Sequence, residues 1–223
     1  MLPGARLRVL FIGNSLTYFN GGLDRRFAAL TGHDVAAETA PGASLRDLWQ
    51  RGGAQKRIAS AKWDVVCLQE DLPETCEADF CEHCRKFVVA ARDAGARPIL
   101  FMTWPYKRLP RVTLADVVGA HRKMAHELGV DVMPVGLAFE RARAEARAAE
   151  ERSLKLIGPD NEHPSPAGTY LAALTLSAIL GEKSPTAESW RPQGVSAAQA
   201  KFLCRVATDE LEEWARAAPP ASE

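Results

Sequence analysis

Strand-like and helix-like runs alternate along almost the whole chain, and this alternation constrains the fold more than any other feature. Strands separated by helices become parallel neighbours, so the pattern implies a three-layer α/β/α sandwich: a flavodoxin-like, five-stranded parallel sheet with helices on both faces. The segments Arg8 to Ile12, Val35 to Thr39, Val65 to Gln69, Ile99 to Thr103 and Val132 to Val135 are short and mostly apolar, as buried parallel strands are.

The helices carry their own punctuation. Thr113 with Asp116 reads as an N-cap, followed by an apolar stripe at Leu114, Val117, Val118, His121, Met124 and Leu128 and a stop at Gly129. A second helix is predicted from Cys76 to Ala94. A third, Leu137 to Arg152, alternates Arg and Glu in pairs such as Arg141 and Glu145, the pattern of a solvated face. Pro166 to Leu180 is apolar nearly all round and predicts a helix packed on the sheet. Ser196 and Gln199 form a capping box ahead of a final helix with Leu203, Val206, Leu211 and Trp214 on one side. Residues 184–195 read as a surface loop, and 217–223 as a frayed tail. With 223 residues and no internal repeat, a single domain over 1–223 is expected.

Lys plus Arg (28) balances Asp plus Glu (28), so no global field draws in nucleic acid or an anionic membrane, and a small-molecule partner is favoured. No apolar stretch is long enough for a bilayer, and no secretory h-region opens the chain, so a cytoplasmic protein is expected. Five cysteines, an odd number, point to free thiols in a reducing compartment. Cys76, Cys81 and Cys84 beside His83 have metal-like spacing. On a helix, however, Phe80, Cys84, Phe87, Val88 and Ala91 share one apolar stripe, which makes Cys84 a core residue, and neither metal nor cofactor is expected. Oligomeric state is not legible.

In an open parallel sheet, ligands bind beyond the carboxyl ends of the strands. Ser15, Gly42, Gln69 with Glu70, and Trp104-Pro105-Tyr106 all follow or end predicted strands and converge on that edge. A serine hydroxyl becomes a nucleophile when an imidazole takes its proton and a carboxylate orients the ring. Of five histidines, His121 lies on an apolar stripe, His33 in a connection, and His83 and His126 on helices. His163 stands apart, in the Pro-flanked loop Asp160-Asn161-Glu162-His163-Pro164. Two readings of Gly13-Asn14-Ser15 stay open here, a turn with Ser15 as helix cap or a nucleophile. Asp160 likewise reads as a loop brace or as the ring's partner.

Taken together, these blocks resemble the SGNH hydrolase superfamily, the GDSL-like esterases and lipases, over about residues 7 to 215. Gly13-Asn14-Ser15-Leu16-Thr17 is similar to the family's nucleophile block, Pro41-Gly42-Ala43-Ser44 to its glycine block, and Asp160, His163 and Pro164 to its D-x-x-H block. The resemblance implies a serine ester hydrolase with Ser15, His163 and Asp160 as triad, and the Ser15 and Gly42 N–H groups as oxyanion donors. It implies no cofactor, and a small or carbohydrate-linked short-chain acyl ester as substrate. The third block departs: where the family has G-x-N-D, this chain has Val66-Cys67-Leu68-Gln69-Glu70-Asp71. Either the Gln69 carboxamide replaces the asparagine donor or the hole uses backbone donors alone. Asn14, Glu70, Trp104 and Tyr106 are expected to contact substrate, with Tyr18 and Phe19 as further walls. Rival readings are an acyltransferase with the same triad, a catalytically weak binding module, and a nucleotide or flavin module. The last lacks the Gly-rich turn after the first strand that such ligands need.

Overall fold

The computed structural model describes residues 6–106, 108–151, 153–182 and 190–217. Five strands form one wholly parallel sheet: β1 (Arg8–Gly13), β2 (Asp34–Thr39), β3 (Val65–Gln69), β4 (Arg97–Phe101) and β5 (Asp131–Met133), in the order β2-β1-β3-β4-β5. The helices are α1 (Ser15–Tyr18), α2 (Leu23–Thr31), α3 (Leu45–Arg51), α4 (Gly53–Ala59), α5 (Glu77–Asp93), α6 (Leu114–Leu128), α7 (Val135–Ala148), α8 (Pro166–Ile179) and α9 (Ala197–Arg216). This is the expected three-layer α/β/α sandwich.

Side chains alternate across each strand, and both faces of this sheet are covered, so alternate residues feed two separate cores. Val9, Phe11, Val65, Cys67, Ile99 and Phe101 pack with α2, α7, α8 and α9. Leu10, Ile12, Val66, Leu68, Leu100 and Met102 pack with α3, α4, α5 and α6. Strand order reverses direction at β1, whose neighbours are β2 and β3. The crevice beyond the carboxyl ends of β1 and β3 is therefore the topological switch point, where such sheets take their ligands.

Several boundaries differ from the sequence reading. β4 starts two residues earlier than predicted, at Arg97, because Arg97 and Pro98 join the ladder opposite Val65 and Val66. β5 stops at Met133, since Pro134 has no N–H to continue it and Val135 already opens α7. The charge run on α7 is not simply solvated: Arg141 reaches Glu210 at 2.7 Å and also Glu213, and Glu145 pairs with Arg205, so the run ties α7 to α9. Three predicted features fall wholly or partly outside the described residues: Arg152 at the end of the third helix, residues 184–189 of the 184–195 loop, and the tail beyond 217.

Cys81 and Cys84 face the α5 core, and burial pushes the Cys84 thiol up to about 12, far from a metal-binding thiolate. The His83 ring instead meets Asp79 and Glu82, a group whose donor atoms lie within 4.8 Å of one another. Both carboxylates there already face cations, Asp79 with Arg46 and Glu82 with Lys86. No helix among the described residues is long and apolar enough to cross a membrane.

Candidate active site

β1 delivers its chain into a tight turn at the switch point. Asn14 caps the short α1, its Oδ1 accepting from Leu16 N–H at 3.0 Å, so Ser15 becomes the first helical residue with its own N–H outside the helix ladder. Gly42 lies in a turn closed by Ala43 N–H to Ala40 O at 3.3 Å, with φ 58°, a left-handed conformation that suits glycine after Pro41. Neither Ser15 N–H nor Gly42 N–H has an acceptor among the described residues.

His163 comes from the loop between α7 and α8. An isolated bridge between Ile157 and Pro164, with Gly158 N–H donating to His163 O at 2.8 Å, makes a narrow base for that loop. His163 Nδ1 donates to Asp160 Oδ2 at 2.8 Å, which leaves Nε2 as an acceptor, and Nε2 lies 2.8 Å from Ser15 Oγ. The structure thus brings Ser15, His163 and Asp160 into one relay. Partial burial draws the Asp160 pKa upward. Hydrogen bonds from Glu162 N–H, the His163 ring and His163 N–H outweigh that and hold the carboxyl below its usual range.

Other contacts fix the loop against the Ser15 turn. Phe19 stacks on the His163 ring with centroids 4.3 Å apart and planes at 20°. The next residue, Asn20, held at φ 53°, donates its side-chain amide to Pro164 O. From the other side, Trp104 Nε1 donates to Glu162 O at 2.9 Å, and Arg108 bridges Glu162 and Glu74. None of Asn20, Glu162 or Arg108 was visible as a site residue in the sequence, because each acts through a contact to a distant segment.

Four residues expected to touch substrate do not present a face to it. Asn14 is 0%, Glu70 1%, Trp104 2% and Tyr106 4% exposed, so all four lie beneath the site. Trp104 stacks on Phe139 at 4.3 Å, and Tyr106 O–H donates to Asp71 Oδ1 at 2.9 Å. Gln69 makes its contacts beneath the turn. Its Oε1 accepts from Asn14 N–H at 2.8 Å and Thr17 O–H at 2.9 Å, which fixes the amide's orientation, and its Nε2 is enclosed without a partner among the described residues. The extra methylene relative to asparagine lets the carboxamide fold back under the turn, where Gly13 leaves room: a Cβ there would meet Gln69 Oε1 at 2.4 Å.

Burial pushes the Glu70 pKa from 4.5 up to about 7, against hydrogen bonds from Asp71 N–H and Leu45 N–H that pull it down. Between those values the folded chain keeps a proton that the unfolded chain gives up, so stability falls as pH rises through this window. From this group alone the fall is about 3 kcal/mol. Glu70→Gln should flatten that decline, measured by urea unfolding at about pH 5 and pH 8. An unchanged difference between the two would show that Glu70 does not titrate there.

The turn, the glycine loop and the imidazole loop fall in the order and strand positions of a known superfamily. A protein from Slackia heliotrinireducens assigned to the SGNH hydrolases is 30% identical, with a TM-score of 0.67 over 79% of this chain and 100% of that one. The chain belongs to the SGNH hydrolase superfamily. That superfamily is one of hydrolases. Two more distant structures share the fold of this SGNH hydrolase. A DUF4886 family protein from Bacteroides uniformis is 19% identical, with a TM-score of 0.71 over 93% and 95% of the two chains. An acetyl-xylooligosaccharide esterase from Geobacillus is 17% identical, with a TM-score of 0.63 over 82% and 98%. No protein-family model and no curated protein matches this SGNH hydrolase sequence.

Proposed function

We propose that this SGNH hydrolase cleaves short-chain acyl esters, including those carried on carbohydrates, through an acyl-enzyme on Ser15. The observation that carries the reading is the relay itself: Ser15 Oγ at 2.8 Å from His163 Nε2, and His163 Nδ1 at 2.8 Å from Asp160. His163 takes the Ser15 proton as Oγ attacks the acyl carbon, and Asp160 stabilises the imidazolium that results. The carbonyl oxygen becomes an oxyanion facing the free Ser15 and Gly42 N–H groups, each such donor being worth about 3 to 4 kcal/mol of barrier. His163 then protonates the leaving alcohol, and water repeats the sequence to release the acid. Gln69 contributes by holding the turn rather than by touching the substrate. The acetyl-xylooligosaccharide esterase among the fold relatives makes acetylated sugars the first substrates to try.

The test is covalent labelling by a fluorophosphonate together with hydrolysis of p-nitrophenyl acetate. The label is expected on Ser15, and both signals should vanish in Ser15→Ala. Labelling elsewhere, or hydrolysis that survives the substitution, would remove the reading.

A further inference from the structure

Two buried acids at the end of β3 take no part in the chemistry above. Glu70 and Asp71 follow β3 directly, and each side chain runs to a different part of the site. Glu70 Oε2 accepts from Leu45 N–H at 3.1 Å, three residues beyond Gly42, while its Oε1 accepts from Asp71 N–H at 2.8 Å. Asp71 Oδ2 accepts from the side chain of Asn14 at 3.0 Å, one residue before Ser15, while its Oδ1 accepts from Tyr106 O–H at 2.9 Å. Burying neighbouring carboxyls opposes folding, since each loses hydration and each disfavours the other's charge. Apolar side chains of similar size would pack there without that cost, so the pair calls for a role beyond packing.

We propose that Glu70 and Asp71 are positioning residues that set the placement of the two oxyanion donors, Asp71 holding the Ser15 N–H through Asn14 and Glu70 holding the Gly42 N–H through Leu45. This rests on the ester-hydrolase reading of the same site. Ionised, each acid accepts two hydrogen bonds, whereas glutamine or asparagine offers one acceptor and leaves the second donor without its own; for Glu70 this holds above its midpoint at about 7, so labelling is compared at about pH 9. Asp71 and Asp47 bear electrostatically on Glu70, and Glu74 and Glu162 bear on Asp71.

The experiment uses Glu70→Gln and Asp71→Asn in the full chain, with a fluorophosphonate as probe and circular dichroism as the check on folding. The maximal labelling rate of Ser15 is expected to fall about 100-fold in each, with the half-saturating probe concentration within about twofold, because misplacement near one ångström weakens the transition state and not the encounter. Amide-proton exchange at Leu45 should quicken at least about tenfold in Glu70→Gln and stay as in the parent in Asp71→Asn. Folded variants that label at the parental rate would overturn the inference while leaving Ser15 chemistry intact. A parent that is not labelled at Ser15 would overturn the functional reading and this inference with it. If Glu70→Gln does not fold, the parent decides: the Leu45 amide-proton shift should follow the Glu70 carboxyl with a midpoint at about 7. A trace flat from about pH 5 to about pH 9 would overturn the tie.

Discussion

His163→Ala is expected to lower turnover of p-nitrophenyl acetate about 10⁵-fold, and adding Ser15→Ala to it is expected to lower turnover no further. Nucleophile and base act as one unit in the proposed mechanism: an alcohol without its base stays protonated, and a base without its alcohol has nothing to activate. Losses that multiplied would mean two independent contributions and a different chemistry. Asp160→Asn belongs to the same series with a smaller expected loss of about 10³-fold. Asparagine can present the ring with a donor in place of an acceptor and so favour the wrong tautomer, yet this carboxyl is 45% exposed and water can partly replace it. Single-turnover kinetics of the three variants on one ester, at saturating concentration, distinguishes these cases.

Gly168→Ala should be the most damaging single methyl in the fold around the site. A Cβ at Gly168 would stand 2.0 Å from the backbone oxygen of Leu156 and 2.9 Å from the Phe139 ring, and a backbone atom cannot rotate away as a side chain can. Leu156 O also accepts from Ser165 N–H at 2.8 Å, at the root of the loop that carries His163. The substitution should therefore cost about 3 kcal/mol and lower Tm by roughly 6 to 12 °C. It should also slow hydrolysis in the fraction that remains folded, since the first turn of α8 must move away from the imidazole loop. A thermal melt within about 2 °C of the parent would show that α8 can shift without strain.

The sheet was legible because strands buried on both faces must be almost continuously apolar, and β3 carries the same limits in sequence and structure, Val65–Gln69. The early helices were harder to see. α1, α3 and α4 span four, seven and seven residues, too few turns for a periodic stripe, although Ser44 and Asp47 form a capping box that marks the start of α3. In the site, Ser15, Asp160 and His163 stood out because local sequence motifs carry them. Asn14, Glu70, Trp104 and Tyr106 were expected at the substrate and lie below it, because strand position fixes which edge a residue reaches but not which neighbours cover it. Gln69 stays open between two roles in the sequence for a related reason: its chemistry is readable as a carboxamide, while its direction depends on the space above Gly13.

The two groups that meet at 2.8 Å are 148 positions apart, one leaving the first strand and the other entering the chain just before α8. During synthesis the hydroxyl therefore emerges long before its imidazole exists, and in the proposed mechanism every shorter chain lacks its base. On that mechanism turnover starts only when the loop ahead of α8 has reached the end of β1, so activity reports when these two distant parts of the chain have met.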